Sequence, residues 1–197
     1  MNRKATIGSF FELDKNQVKN MIAQQKPHVD FSERITPYNG DPGWKERLNK
    51  MSWWSVGYTG KVEPGCEPLL GLRDKLLSIG GCEVCLPDVE EDLDDILQYG
   101  QVWDNITTQY KKGRPCQCHA NSADLWYNNR ETCKNGHAVV LCTGYALSED
   151  GVWRQHSWLI HVKPRANVII ETTEPRVAYF GFGMSYEQAM NFAYENV

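Results

Sequence analysis

The chain has no unbroken apolar run of about 18 residues, which excludes a membrane-crossing helix. Its start, "MNRKATIGSFFELDKNQ", carries basic residues but lacks the apolar run and small-residue cleavage site of a secretory leader. Together these absences predict a soluble chain in the cytoplasm, with a specialised export route left open. Positive charge is not in excess either. The formal net charge is -4 and the pI is near 5.7, which argues against nucleic acid or a membrane surface as partner despite the short basic "YKKGR" at 110–114. No internal repeat or low-complexity tract occurs, so solenoids and arrays are excluded. A second C-x-x-C is missing as well. "CEVC" at 82–85 has the spacing of half a structural zinc site, but the "CQC" ending at Cys118 has one intervening residue and constrains tetrahedral geometry poorly. A zinc-stabilised, non-catalytic binding module, with Cys82 and Cys85 joined by Cys116, Cys118 or His119, is therefore a second reading.

What is present suits one packed domain. The 197 residues are 41% hydrophobic and 23% charged, with seven Trp and nine Tyr, enough to bury a substantial core. Seven cysteines is an odd number, so one thiol at least stays unpaired in a monomer. In a reducing compartment cysteines are read first as core residues, metal ligands or catalysts.

Residues 1–65 read as an irregular N-terminal extension or lid, with a short helix over 16–25 and a Gly-, Pro- and Trp-rich loop from 28 to 66. "CEPLLGLRDKLLSIGG" (66–81) carries a leucine stripe and ends in two glycines, predicting a helix and its C-terminus. "DVEEDLDDILQYGQVWDNI" (88–106) opens on acidic residues and repeats Val89, Leu93, Ile96 and Leu97, predicting another. From His137 the pattern becomes β-rich: 137–147, 152–162, 167–173 and 177–182 are separated by turn sequences and read as an antiparallel meander. "SYEQAMNFAYEN" (185–196) carries a Ser-x-x-Gln capping box and predicts a terminal helix. The fold class is α+β, with helices first and a sheet afterwards.

The chemistry concentrates at "RPCQCHANSADLWYNN" (114–129). Pro115 blocks any preceding helix, and Ala120, Ala123, Trp126 and Tyr127 share one helical face, so Cys118 lies in a first turn. Unpaired N–H groups and the helix dipole there favour thiolate over thiol and can stabilise an oxyanion. A thiolate needs a base, and "RQHSWLIHV" supplies His156 in mid-strand. Fifteen residues on, across the tight "KPRA" turn, Glu171 in "IIETT" falls near the same end of the hairpin.

These residues carry a resemblance. "CHANSA" resembles the helix start of papain-like proteases, and "HSW" followed by "IIETT" is similar to the transglutaminase-like pattern of His-x-Trp and then Asp-x-Thr. The resemblance covers roughly residues 114–182, taken as the catalytic core, and is of superfamily grade. It implies a Cys-bearing helix packed on the sheet, Cys118 as nucleophile, His156 as base and Glu171 as orienting acid. Glu171 stands where aspartate or asparagine is usual, and His119 where an apolar or aromatic neighbour is. Lys112 holds the place of the oxyanion glutamine, leaving Gln109 or Gln101 as candidates for that role. The activity implied is hydrolysis of a peptide, isopeptide or side-chain amide in a protein or peptide substrate, without a cofactor; acyl transfer and deamidation share the same first step. Oligomeric state is left open.

Each residue also has a plainer reading: a small buried hydrophobe for Cys118, a backbone-bonded strand histidine for His156, a solvated strand-end carboxylate for Glu171. Their order and spacing favour the joint one. His161 lies five residues past His156 and should face the other side of the sheet, Cys116 is read as structural or resolving, and Cys142 as core.

Overall fold

The computed structural model describes residues 13–24, 30–36, 67–87, 89–104, 106–131 and 137–197. The loop expected over 28–66 falls mostly outside them, as do Cys66 and Cys133. Among the described residues five α-helices and seven strands make a mixed α+β body: α1 (Lys15–Ile22), α2 (Glu67–Ile79), β1 (Glu83–Cys85), α3 (Leu93–Tyr99), β2 (Gln101–Trp103), β3 (Thr107–Tyr110), α4 (Cys118–Asn129), β4 (Ala138–Leu147), β5 (Val152–Val162), β6 (Val168–Glu171), β7 (Ala178–Gly183) and α5 (Tyr186–Asn196).

Local sequence explains the helix ends. Asp14 with Gln17, and Ser185 with Gln188, form reciprocal capping boxes that satisfy the first N–H groups of α1 and α5. Gly80 and Gly81 take φ of 147° and 87° after α2, a turn that non-glycine residues enter at a cost. The helix predicted over 88–106 is much shorter. Gly100 ends it, and residues 101–103 extend instead as β2 beside β7, which buries Trp103 and lets its indole donate to the Ile22 carbonyl at 2.9 Å. Of the expected apolar stripe only Ile96 is buried, while Val89 is 72% exposed.

The meander holds for β4, β5 and β6 but not for β7. Sheet order is β2-β7-β4-β5-β6-β3, with β1 pairing parallel to β5 and β3 parallel to β6. β7 returns to the far side of β4, and β3 occupies the outer edge of β6. Gly144 opposite Gly181 lets the β4 and β7 backbones approach: a Cβ on Gly181 would lie 2.1 Å from the Thr143 carbonyl oxygen.

Strand alternation divides the core in two. Leu141, Tyr145, Leu159, Ile170 and Phe180 face α2, α4 and α5, with Phe31 beneath them. Val140, Cys142, Trp158, Ile169 and Tyr179 face α1 and Trp103. α1 is thereby built into the body, with Val18 and Ile22 buried.

The neighbours of β5 position the site. Along one edge β5 pairs with β4 throughout, from Leu147↔Trp153 to Ala138↔Val162. Along the other, β1 covers residues 152–154 and β6 covers 159–161. Residues 155–158 have no strand on that side, and the start of α4 docks into the gap.

Candidate active site

Two α4 side chains one turn apart meet the open strand edge. Ser122 Oγ donates to the Ser157 carbonyl at 2.9 Å, and the Ser157 N–H reaches the Cys118 sulfur. In a strand one residue's N–H and C=O point the same way, so both groups of Ser157 are satisfied by a helix where a strand would otherwise pair. Gln117, the N-cap, supplies no side-chain hydrogen bond, and Cys118 is the first helical residue. Its sulfur accepts the His119 N–H, taking over part of the missing cap. The preceding loop is pinned by Asn121, whose Oδ1 accepts the Arg114 N–H at 3.0 Å and whose Nδ2 donates to the Arg114 carbonyl at 2.7 Å. Cys116 within that loop is the one non-glycine residue at positive φ among the described residues, at 56°.

His156 completes the contact from β5. Its Nε2 lies 2.9 Å from Glu171 Oε2, which leaves Nδ1 for the Cys118 thiol. The ring is 2% exposed and stacks nearly parallel on Trp158, centroids 6.3 Å apart. Glu171, fully buried, accepts four further hydrogen bonds: Tyr179 Oη at 2.9 Å on Oε2, and the Thr172 N–H, Thr173 N–H and Thr173 hydroxyl at 2.8, 2.8 and 3.0 Å on Oε1.

The electrostatics follow from this wiring. Burial opposes charge on Cys118, but the hydrogen bond and charge of His156, with the Ser157 and His119 N–H groups, hold the thiol below its ordinary value. Burial likewise opposes imidazolium at His156, yet Cys118 and Glu171 together raise it above the usual histidine range. Glu171 is pushed down to about 2, its burial outweighed by His156, the Thr173 N–H and the Tyr179 hydroxyl. A lowered thiol facing a raised imidazole favours the thiolate–imidazolium pair.

The other sequence candidates lie elsewhere. Gln101 is on β2, three strands from β5, and its amide donates to the Lys19 carbonyl at 3.1 Å. Gln109 is exposed on β3 opposite Ile170, whose side chain is on the face away from Glu171. His161 Nε2 lies 3.2 Å from His137 Nδ1, remote from the thiol's partner. Cys82 contacts the Gly151 carbonyl at 3.2 Å, Cys85 is buried, and among the described residues no three His, Cys, Asp or Glu side chains converge as a metal ligand set. Cys142 is core, as its place in the strand predicts.

Sequence reasoning passes over Ser122, Asn121, Ser157 and Tyr179. Ser122 alone left a signal, sitting four residues after Cys118 on the same helical face. His119, a candidate zinc ligand from the sequence, has other partners: its Nδ1 lies 2.7 Å from Ser157 Oγ, which in turn lies 3.3 Å from Thr143 Oγ1. Burial, then the His156 charge, lowers its pKa, favouring neutral imidazole beside the thiol.

Compared with protein-family models, curated proteins and solved structures, the chain matches none.

Proposed function

We propose that the chain is a thiol hydrolase of the papain-like or transglutaminase-like class, cleaving a peptide, isopeptide or side-chain amide through Cys118, His156 and Glu171. The observation that carries the reading is the unbroken line from thiol through a buried imidazole to a buried carboxylate, 2.9 Å from ring to acid. Each member is supplied by a different element, and each shift runs in the direction that nucleophilic catalysis requires.

The Cys118 thiolate attacks the amide carbon, forming a C–S bond as the carbonyl electrons move onto oxygen. The N–H groups in the first turn of α4, which the Gln117 side chain leaves uncapped, are the available donors to that oxyanion. The His156 imidazolium gives its Nδ1 proton to the departing nitrogen as the C–N bond breaks. Water then attacks the thioester carbon, His156 takes its proton, and the C–S bond breaks to release acid and thiolate. Glu171 stays ionised, keeping the Nε2 proton of the ring directed at itself. An amine in place of water gives acyl transfer, and a side-chain carboxamide substrate gives deamidation, with the same residues.

The test needs no known substrate at first. Iodoacetamide labelling mapped by mass spectrometry should modify Cys118 ahead of the other cysteines at about pH 6, and His156→Ala should remove that preference. A panel of peptide, isopeptide and carboxamide substrates then separates the reactions. Preferential labelling of Cys116 or Cys133 in the native protein overturns the reading.

A further inference from the structure

Beside the helix start lies a cleft of about 360 Å³, formed by the turn before α3, the C-terminal half of α5 and the middles of β4 and β5. His119, the residue next to Cys118 in the chain, and Thr143 belong to its wall. Cys118 does not line it, but His119 Nδ1 lies 2.7 Å from the Oγ of Ser157, the residue whose N–H holds the Cys118 sulfur. A concavity of this size adjoining a nucleophile is a place for part of a substrate.

Its charge is one-sided. Glu90, Glu91, Asp92 and Glu195 line it, and no described lysine or arginine does. Lys15 is engaged by Asp95 at 2.6 Å instead. Glu90 has a specific strain of its own. It is only 8% exposed, and its partners are neutral: the Tyr145 hydroxyl at 2.7 Å, the Gln155 amide at 3.1 Å and the Asp92 N–H. Those donors fix the carboxylate in direction without cancelling its charge, which makes its removal from water costly until a cation arrives. Asp92 bears the same tension: burial first, then the carboxylates of Glu90, Asp95 and Glu91, push it up to about 6. Met184 and Phe192 give the cleft apolar wall, suited to the methylene stem of a long cationic side chain.

We infer that this cleft receives the lysine or arginine side chain of a polypeptide substrate, its cationic head held by Glu90 and the surrounding carboxylates while the neighbouring amide is presented to Cys118. This rests on the reading of Cys118 as the nucleophile and adds the class of side chain beside the scissile bond. Glu90 is the central contact because it is already oriented; Glu91, Asp92 and Glu195 supply field.

The experiment compares three methanethiosulfonate reagents on the full chain carrying Cys116→Ser: cationic aminoethyl, anionic sulfonatoethyl and neutral methyl. Modification of the Cys118 peptide is followed by mass spectrometry, and each rate is divided by that reagent's rate with 2-mercaptoethanol. The normalised cation-to-anion ratio should be on the order of tenfold or more, the range in which charged clefts concentrate ions of opposite sign. It should fall towards one in Glu90→Gln, in the surface pair Glu91→Gln/Glu195→Gln, and at high salt in the unmodified cleft. The surface pair and the salt series keep the test decisive if Glu90→Gln fails to fold. Fast neutral modification with no charge preference overturns the cleft inference and leaves the nucleophile standing. Failure of the neutral reagent to modify Cys118 overturns both.

Discussion

Replacing Glu171 by glutamine keeps the shape of the side chain and removes its charge, and the structure dictates how the amide must sit. Three donors crowd one carboxylate oxygen: the Thr172 and Thr173 N–H groups and the Thr173 hydroxyl. Two of them are backbone groups that cannot invert, so the amide oxygen has to take that side. The NH2 then faces His156 Nε2 and Tyr179 Oη, which both donate to the carboxylate in the native protein. Tyr179 can turn its hydroxyl, but His156 can relieve the clash of donors only by moving its proton to Nδ1. That nitrogen then points a hydrogen at Cys118 and can no longer accept the thiol proton.

The magnitude has two parts. For stability, a buried carboxylate held at about 2 instead of the ordinary 4.5 corresponds, at about 1.4 kcal/mol per unit, to about 3 kcal/mol. Its folded pKa is depressed, so this stability is present above about pH 4.5 and lost as pH falls towards 2. Glu171→Gln should therefore unfold at lower temperature at neutral pH and lose much of the wild type's acid dependence in that window. For catalysis, the same carboxylate-to-amide change in serine proteases costs about ten-thousand-fold through the wrong tautomer, which sets the upper end of an expected ten- to ten-thousand-fold loss of turnover. The assay is a pH profile of Cys118 alkylation by mass spectrometry beside thermal unfolding of both proteins. A folded Glu171→Gln protein whose alkylation profile overlays the wild type's would refute the tautomer argument.

Three further outcomes are expected. His156→Ala should abolish the low-pH reactivity of Cys118 whereas His161→Ala should leave it intact, read by the same alkylation profile; the reverse result would reassign the base. Gly144→Ala should destabilise by about 1–3 kcal/mol, since its Cβ would lie 2.3 Å from the Phe180 carbonyl oxygen at a φ of 148°, and a chemical-denaturation midpoint equal to the wild type's would contradict the close approach of β4 and β7. Asn121→Ala should release the loop that leads into α4 and slow Cys118 alkylation several-fold with little change in its pH midpoint, because position and not ionisation is affected; a displaced midpoint would instead give Asn121 an electrostatic part.

Much of this fold can be read from the chain because strong local signals agree with the tertiary result. The run 152–162 predicts β5 to the residue, and Ser185 with Gln188 marks the start of α5. The misses share a cause. β1, β2 and β3 are three or four residues long and take their conformation from neighbours: β2 from β7, β3 from β6, β1 from β5. The Val, Trp, Thr and Tyr of "QVW" and "TTQY" suit a strand, but runs this short do not specify one without those partners. The return of β7 to β4 is equally non-local. Of the site, Cys118, His156 and Glu171 could be named by order and spacing, but the groups that hold them could not. Tyr179 belongs to a strand whose placement was misread, and Ser157 acts through its backbone, which carries no sequence signature.

The choice of glutamate over aspartate at position 171 follows from the register. The last β5–β6 pair is Leu159 with Ile170; extended one step, it sets Glu171 opposite Trp158, and extended three, Thr173 opposite His156. Glu171 and His156 are thus diagonal neighbours on one face, farther apart than directly opposed residues. The strands part at this point, since β6 ends at Glu171 and β5 turns its free edge to Cys118. An acid here has to reach along the diagonal across a widening gap, and the added methylene supplies that reach. Its second oxygen can then fold back on the Thr172 and Thr173 N–H groups just past the end of β6. The interruption of the sheet frees the Ser157 N–H for the sulfur, and the threonine N–H groups just beyond β6 hold the acid. Thiol, imidazole and carboxylate are assembled where the ladder stops, and backbone N–H groups there are left to hold charge.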